Sequence, residues 1–422
     1  LPRGPSPRPQ PGMPAAREEP QPPSAAVVGG GAAGLACASS LAARGFAVQL
    51  FNTGRRGCGG LMATRSFSTG TEPGAVPLIF DTAAQLFSAS HPSFCALCEQ
   101  WERLGWVRRW TGRAVRLRPG GELTELPSAA GARVYAAPGG MECLAERLAD
   151  VARGQGVNVR TQMWLTAAER TPDARWDVRW DLWSMGVADY LVTAHSGKCA
   201  RRLNAAPKLQ RCLAACKRVT LGVVWCLVVA FAEPLGLPFE VAIVECHEKV
   251  AWMSNQTAKL GAAASGQHAP ECWVVFSTVK YGWRHKVPQE FVPPEALREV
   301  GDQLLEAFSG LVAPWCSGGR LPPEVRRHAQ LWGAGLPGSV LQGADFVFDP
   351  LVRAGVCADW CVAPCIEGAV LSGLQLADAI AAHHSRTPGS ACAFFPPEEA
   401  RTLPCRLACE TAAFPGWLDP PT

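Results

Sequence analysis

"AAVVGGGAAGLACASSLAARGFAVQLFNTGRRGCGGLM", residues 25–62, decides how the chain is read. Ala25–Val28 is a short apolar run suited to a buried strand, "AAGLACASSLAARG" has helical spacing, and "AVQLF" is a second strand. Between the first strand and the helix, Gly29, Gly31 and Gly34 stand as G-x-G-x-x-G, the arrangement that cradles a dinucleotide diphosphate. Gly29 permits a tight turn, Gly31 lets backbone approach the phosphates, and Gly34 lets helix and strand pack closely. Ala32 and Ala33 open the helix, whose N-terminal N–H groups and positive potential attract an anion.

The same stretch departs from the usual pattern at its far end. An acid about 20 residues beyond the glycine loop ordinarily holds the adenosine ribose; here the second strand runs into Asn52. An amide can still accept and donate, but loses charge assistance worth on the order of 1 kcal/mol. Arg55 and Arg56 follow, and are read either as contacts for the extra phosphate of NADP or as solvated turn charges.

Bulk properties set the frame around this stretch. With 422 residues, 48% of them hydrophobic, the chain can bury a large core in two or three units. The net charge of +4 comes from 40 basic and 36 acidic residues mixed along the chain, which argues against a nucleic-acid surface. The 18 cysteines lie in apolar segments, as expected of a reducing compartment. Cys95 and Cys98 have metal or redox spacing but sit in a helical pattern, and Cys357, Cys361 and Cys365 are read as buried small residues, so no metal is expected. The apolar run Val219–Ala232 is shorter than the roughly 20 residues a bilayer requires and reads as a buried strand, so no membrane span is expected. The chain opens on Leu1, so a leader is expected to be missing; the expected compartment is intracellular, cytoplasmic or plastid.

Outward from the glycine loop the pattern alternates as an α/β chain. Residues 1–23 read as a disordered Pro-rich lead and 386–422 as a Pro-rich, mostly irregular tail. A helix is expected from Pro92 to Leu104, and another in "GMECLAERLADVARGQG" with Leu144, Leu148 and Val151 on one face. The strand "VNVRTQMWL", a Trp-rich hairpin "WDVRWDLW" and a further strand in "ADYLVTAHSG" follow. Near the end, a strand stops at Cys357, a turn carries Asp359, and a helix begins near Glu367. The segments 24–88, 132–200 and 338–385 are expected to form one discontinuous unit, and 89–131 with 201–337 a second.

"FDTAAQLF", "GMECLAERL", "VNVRTQMW" and "GVCADWCVAPCIEGAVLSGLQLADAI", taken with the glycine loop and the Gly59-Gly60 turn, resemble the renalase-like branch of the flavin-containing amine oxidase superfamily. The resemblance runs from about Ala25 to Ile380. It implies a Rossmann-type FAD-binding domain (PHBH-like, GR2-type) with an interleaved α+β substrate domain built on a mixed sheet. It further implies that Gly29, Gly31, Ala32, Ala33 and Gly34 hold the diphosphate, Asn52 the ribose, and Gly59, Gly60 and Leu61 the flavin's flank. Met163 would meet the adenine through its backbone, Asp359 the ribityl and diphosphate region, and the backbone at Glu367, Gly368 and Ala369 the pyrimidine ring. A helix N-terminus there would stabilise the negative charge of a reduced flavin. Against the family pattern, Leu61 replaces Arg, and Ala84 and Ala358 replace Gly; Arg65 is the nearest substitute cation.

The implied reaction is hydride removal from a small reduced substrate, a misreduced isomer of NAD(P)H being the candidate, with reoxidation by oxygen to hydrogen peroxide. Gln85, Trp252 and Trp332 are the candidate catalytic residues, with Asn255, Lys259, Trp273 and Thr278 as further candidates for the pocket. Lys259 is read as a phosphate contact or a solvated turn charge, His195 as a strand cap, and His285 and His328 as lacking visible partners. The alternatives are an amine or polyamine oxidase, and a catalytically silent flavoprotein-like scaffold.

Overall fold

The computed structural model describes residues 21–70, 75–126, 133–195, 197–203, 205–260, 269–385 and 400–402. Residues 1–20 of the Pro-rich lead and most of the C-terminal tail lie outside these described residues. β1 (Ser24–Val28), α1 (Ala32–Ala42) and β2 (Ala47–Phe51) form the βαβ start. The hairpin β3 (Thr64–Ser68) and β4 (Pro77–Asp81) leads through β5 (Phe87–Ala89) to α2 (Pro92–Arg103). β6 (Arg108–Arg109), β7 (Ala114–Arg118), β8 (Glu122–Glu125) and β9 (Arg133–Ala136) precede α3 (Met141–Gly154) and β10 (Asn158–Arg160). Next come β11 (Ala167–Arg170), β12 (Trp176–Trp180), β13 (Trp183–Ala188), β14 (Tyr190–Thr193), α4 (Gly197–Leu203) and α5 (Gln210–Arg218). β15 (Leu221–Phe231), β16 (Val241–Val244), β17 (Val250–Asn255), α6 (Gln256–Leu260) and β18 (Glu271–Ser277) follow. α7 (Val279–Arg284), α8 (Pro294–Val312) and β19 (Glu324–Pro337) complete that region. β20 (Ser339–Leu341), β21 (Val347–Asp349), β22 (Ala354–Val356), α9 (Asp359–Val362) and α10 (Ile366–Ser385) return the chain to the glycine loop.

Two large sheets organise these elements. The first has the order β10-β2-β1-β14-β22-β21, parallel except for β21 against β22. α1, α3 and α10 cover one face, packing Leu35, Leu41, Leu144 and Leu376 onto Val27, Val48 and Val192. This is a Rossmann-type sheet, whose strand ends meet helix N-termini at one edge, while β12, β13 and α5 pack on its other face. α2, expected with the second unit, instead buries Phe94, Cys98 and Trp101 in this same cluster. In α3 the buried stripe passes through Leu144, Ala145, Ala149 and Ala152, while Val151 is 39% exposed. The 3.6-residue repeat carries the stripe to Ala152, one position beyond the expected Val151.

The second sheet has the order β19-β15-β18-β17-β16-β7-β8, antiparallel apart from the β16–β7 pair. β15 supplies both of its cores from one apolar run. Val223, Trp225, Leu227, Val229 and Phe231 face the cluster under α8, whereas Val224, Cys226, Val228 and Ala230 face the cluster containing Phe80 and Trp252. A strand buried on both faces must be apolar at every position, which is why the run Val219–Ala232 lacks alternation. Among the described residues no helix is long and apolar enough to cross a membrane.

Candidate functional site

The glycine loop leaves β1 in an extended turn and enters α1 at Gly31. Gly29 has φ +125°, and a Cβ there would lie 2.3 Å from the Ala194 carbonyl oxygen. At Gly34 a Cβ would lie 1.8 Å from the Gly29 carbonyl oxygen, so helix and loop touch backbone to backbone. Gly31 is different: a Cβ would meet only the Gly59 carbonyl oxygen, at 3.9 Å. The Gly59 N–H donates to the Gly30 carbonyl at 2.8 Å, drawing the Gly59-Gly60 turn alongside the loop. No side chain caps α1, and its first turn carries no acid. The N–H groups opened by Ala32 and Ala33 therefore have no side-chain cap, and their positive potential is uncompensated by an acid in the first turn. Such a cradle fits a dinucleotide diphosphate.

Asn52 is buried beside Gly30, its Nδ2 donating to the Gly57 carbonyl at 2.6 Å, so Oδ1 is the atom of this amide that could accept from a ligand hydroxyl. The Met163 N–H donates to the Asn52 carbonyl at 2.9 Å, so the Met163 carbonyl is the backbone group that could meet an adenine. Arg55 and Arg56 are exposed. Glu146, unremarked in the sequence, accepts the Cys58 N–H at 3.0 Å and fixes the turn between Asn52 and Gly59. Burial, then the Glu146 carboxylate, push the Cys58 thiol up to about 11, so no thiolate forms beside the loop.

Ala84 and Ala358, on the flank expected to meet a flavin, are sterically compatible with their backbone. Ala84 is absent from the positive-φ residues, and Ala358 is extended at φ −169°. The Leu61 carbonyl accepts the Ala84 N–H at 2.9 Å, tying that flank to the segment after β4. Arg65 does not replace the missing guanidinium: its Nε donates to Gln330 Oε1 on β19 at 2.9 Å.

Beyond β22, Asp359 opens α9 and accepts the Trp360 N–H at 2.9 Å; burial raises its carboxyl to about 6. Glu367 holds α2. Its Oε1 accepts the Ser90 N–H at 2.9 Å and the His91 N–H, and its Oε2 accepts the Ser90 hydroxyl. The Gly368 N–H donates to Cys365 Sγ at 3.3 Å, and the Ala369 N–H to the Cys365 carbonyl at 3.0 Å, so Ile366 and Glu367 present the leading N–H groups of α10. His195 follows β14, its carbonyl accepting Trp360 Nε1 at 3.2 Å, and burial lowers its imidazole to about 4.

Gln85, Trp252 and Trp332 come together at a seam between the second sheet and the segment after β4. Gln85 Oε1 accepts from Trp252 Nε1 at 2.8 Å and from the Ser254 hydroxyl, while its Nε2 donates to the Asp81 carbonyl at 3.1 Å. Trp332 Nε1 donates to the Thr82 carbonyl at 2.7 Å. Lys259 is neither a solvated charge nor a free phosphate contact: it is 1% exposed and paired with Asp81. Asp81 also accepts from the Thr64 hydroxyl at 2.6 Å and the Met141 N–H at 2.8 Å, so one carboxylate caps α3 and receives the lysine. The other candidates have structural duties. Asn255 bonds Glu271 and caps α6, Trp273 is fully buried, and Thr278 caps α7. His285 stacks on Tyr281 with centroids 4.2 Å apart, and His328 lies 5.6 Å from the Phe67 ring.

Residues 27–101 match the model of an NAD(P)-binding Rossmann-like domain. An oxidoreductase from Methanosarcina mazei superposes with a TM-score of 0.58 at 12% identity, over 84% of this chain and 100% of that one. Cyclohexylamine oxidase from Brevibacterium oxydans gives 0.60 at 14% identity, over 86% and 100% of the two chains. Wild-type putrescine oxidase bound to putrescine gives 0.56 at 14% identity, over 85% and 99%. The chain thus carries a Rossmann-like NAD(P)-binding domain within the α/β fold of these oxidoreductases and amine oxidases.

Proposed function

We propose that the chain is an FAD-dependent oxidoreductase of the renalase-like type. In this reading the Rossmann-type sheet is the cofactor half and the seven-stranded sheet the substrate half, and the substrate is a small hydride donor such as a misreduced isomer of NAD(P)H. The observation that carries it is the uncapped, acid-free N-terminus of α1, bordered by Gly31 and the bridged Gly59. Bound FAD would supply hydride acceptance and reoxidation by oxygen. The protein's own work is to hold and orient. Gly31, Ala32 and Ala33 would bind the diphosphate by backbone, Asn52 Oδ1 the ribose, and the leading N–H groups of α10 the electron-rich edge of the ring system.

Gln85 would form part of the substrate wall, held in one amide orientation by Trp252, Ser254 and the Asp81 carbonyl. The Asp81 carboxylate beside it is already paired with Lys259. The seam therefore offers aromatic and amide surface rather than a bare anion for an ammonium group, which favours a nicotinamide nucleotide over an amine. The amine oxidase reading draws on the cyclohexylamine and putrescine oxidases that share the fold. Peroxide release separates the two: the proposal expects it with misreduced NAD(P)H isomers and not with cyclohexylamine or putrescine. Peroxide from the amines alone would transfer the assignment to the amine oxidases.

A further inference from the structure

The Trp-rich hairpin takes no part in this site, yet its tip gathers several large exposed apolar side chains. Trp180 and Trp183 pair across β12 and β13, with Asp181 and Leu182 in the turn. Leu182 is 85% exposed, Trp183 78% and Trp180 40%. Scattered exposed apolar residues are ordinary, but a cluster of large ones marks a contact surface. A fourth member belongs to the same end of the sheet. The Asp181 N–H donates to Thr166 Oγ1 at 2.8 Å, and two residues before Thr166, Trp164 is 42% exposed.

Trp164 connects this tip to a basic edge. The Arg202 guanidinium lies 5.1 Å from the Trp164 ring centroid, which sets the end of α4 beside the hairpin. From Tyr190 to Ala232 the sequence has no Asp or Glu and seven basic residues: Lys198, Arg201, Arg202, Lys208, Arg211, Lys217 and Arg218. Arg201 is engaged with the Cys216 and Val219 carbonyls, and Arg211 lies 3.6 Å from Asp349. Arg202, Lys208 and Lys217 are exposed. On the sheet itself, Arg179 pairs with Glu169 and Asp177 and donates to the Leu182 carbonyl, leaving Asp181 as the acid at the tip.

We propose that this edge is a peripheral docking surface for an anionic lipid bilayer. Trp164, Trp180, Leu182 and Trp183 enter the headgroup layer, while Arg202, Lys208 and Lys217 face the charged lipid surface. Tryptophan favours the membrane interface, and basic residues beside an apolar insertion add the electrostatic attraction that makes such contacts hold. A protruding two-residue turn suits a fluid layer better than a protein partner, which would need a matching pocket. The proposal does not rest on the cofactor reading, since the edge lies on strands and helices outside the glycine cradle.

The test is co-sedimentation of the full chain with phosphatidylcholine vesicles and with vesicles containing added phosphatidylglycerol. The chain is expected to pellet with the anionic vesicles, to release as salt rises, and to remain largely in solution with the neutral ones. Leu182→Ser with Trp183→Ser lowers partitioning by about tenfold or more. Lys208→Gln and Lys217→Gln each lower it by about fivefold. Unchanged melting of these surface variants, read by circular dichroism, shows that they fold. Equal behaviour with both vesicle types, or full retention of binding by the tip variant, overturns the proposal. So does size-exclusion chromatography in which the tip substitutions convert a dimer to a monomer, because the hairpin is then a contact between copies of this chain.

Discussion

A methyl group at Gly34 would stand 1.8 Å from the Gly29 carbonyl oxygen, whereas one at Gly31 would stand 3.9 Å from its nearest neighbour. The two glycines of one motif therefore serve different masters. Gly34→Ala must separate helix and loop and is expected to cost about 3 kcal/mol of stability in urea unfolding. Gly31→Ala should fold within about 0.5 kcal/mol of the parent yet weaken FAD binding about tenfold or more, because its methyl occupies the ligand side. Asp359 provides a pH signature. Its carboxyl titrates near 6 when folded, above the ordinary 3.8, so the protonated form is the one that folding favours. That contribution is complete below about pH 4 and is lost as pH rises through 6. Asp359→Asn should therefore raise the melting temperature of the cofactor-free protein at pH 7–8 and change it little at pH 4, as scanning calorimetry would show.

At the scale of elements, legibility in the sequence followed the range of the interaction. The glycine loop, the α2 boundaries and the start of α10 were readable because strand pattern, Pro92 and the turn before Ile366 act locally. The role of Glu367 was not readable, since its partners Ser90 and His91 lie 277 and 276 residues away. Arg65 offered a cation near the loop by spacing alone, but β3 aims it at Gln330, 265 residues distant. Glu367 links two helices by accepting the N–H groups just ahead of α2, where an anion also favours the helix dipole. Glu367→Ala should cost about 3 kcal/mol in urea unfolding, and Glu367→Gln roughly half as much because one oxygen acceptor remains.

At the scale of the molecule, β4 and α6 meet over a buried charge pair whose members are 178 residues apart, which is why Lys259 read as a surface turn. Removing one partner strands the other. Lys259→Met is expected to cost about 3–5 kcal/mol, and adding Asp81→Asn should restore part of it, a coupling that a double-mutant cycle in urea would measure. Gln85, Trp252 and Trp332 were singled out individually as pocket candidates; their hydrogen bonds could not be read from the sequence, because they require the fold to bring β17 and β19 against the segment after β4.

The most direct measurement of the account is the visible absorption of the full chain after incubation with excess FAD and removal of unbound cofactor, made beside Gly31→Ala. The account predicts an oxidised-flavin band that stays with the protein and falls sharply in the variant while both remain folded. A folded parent that stays colourless, or a band equally strong in Gly31→Ala, would contradict it.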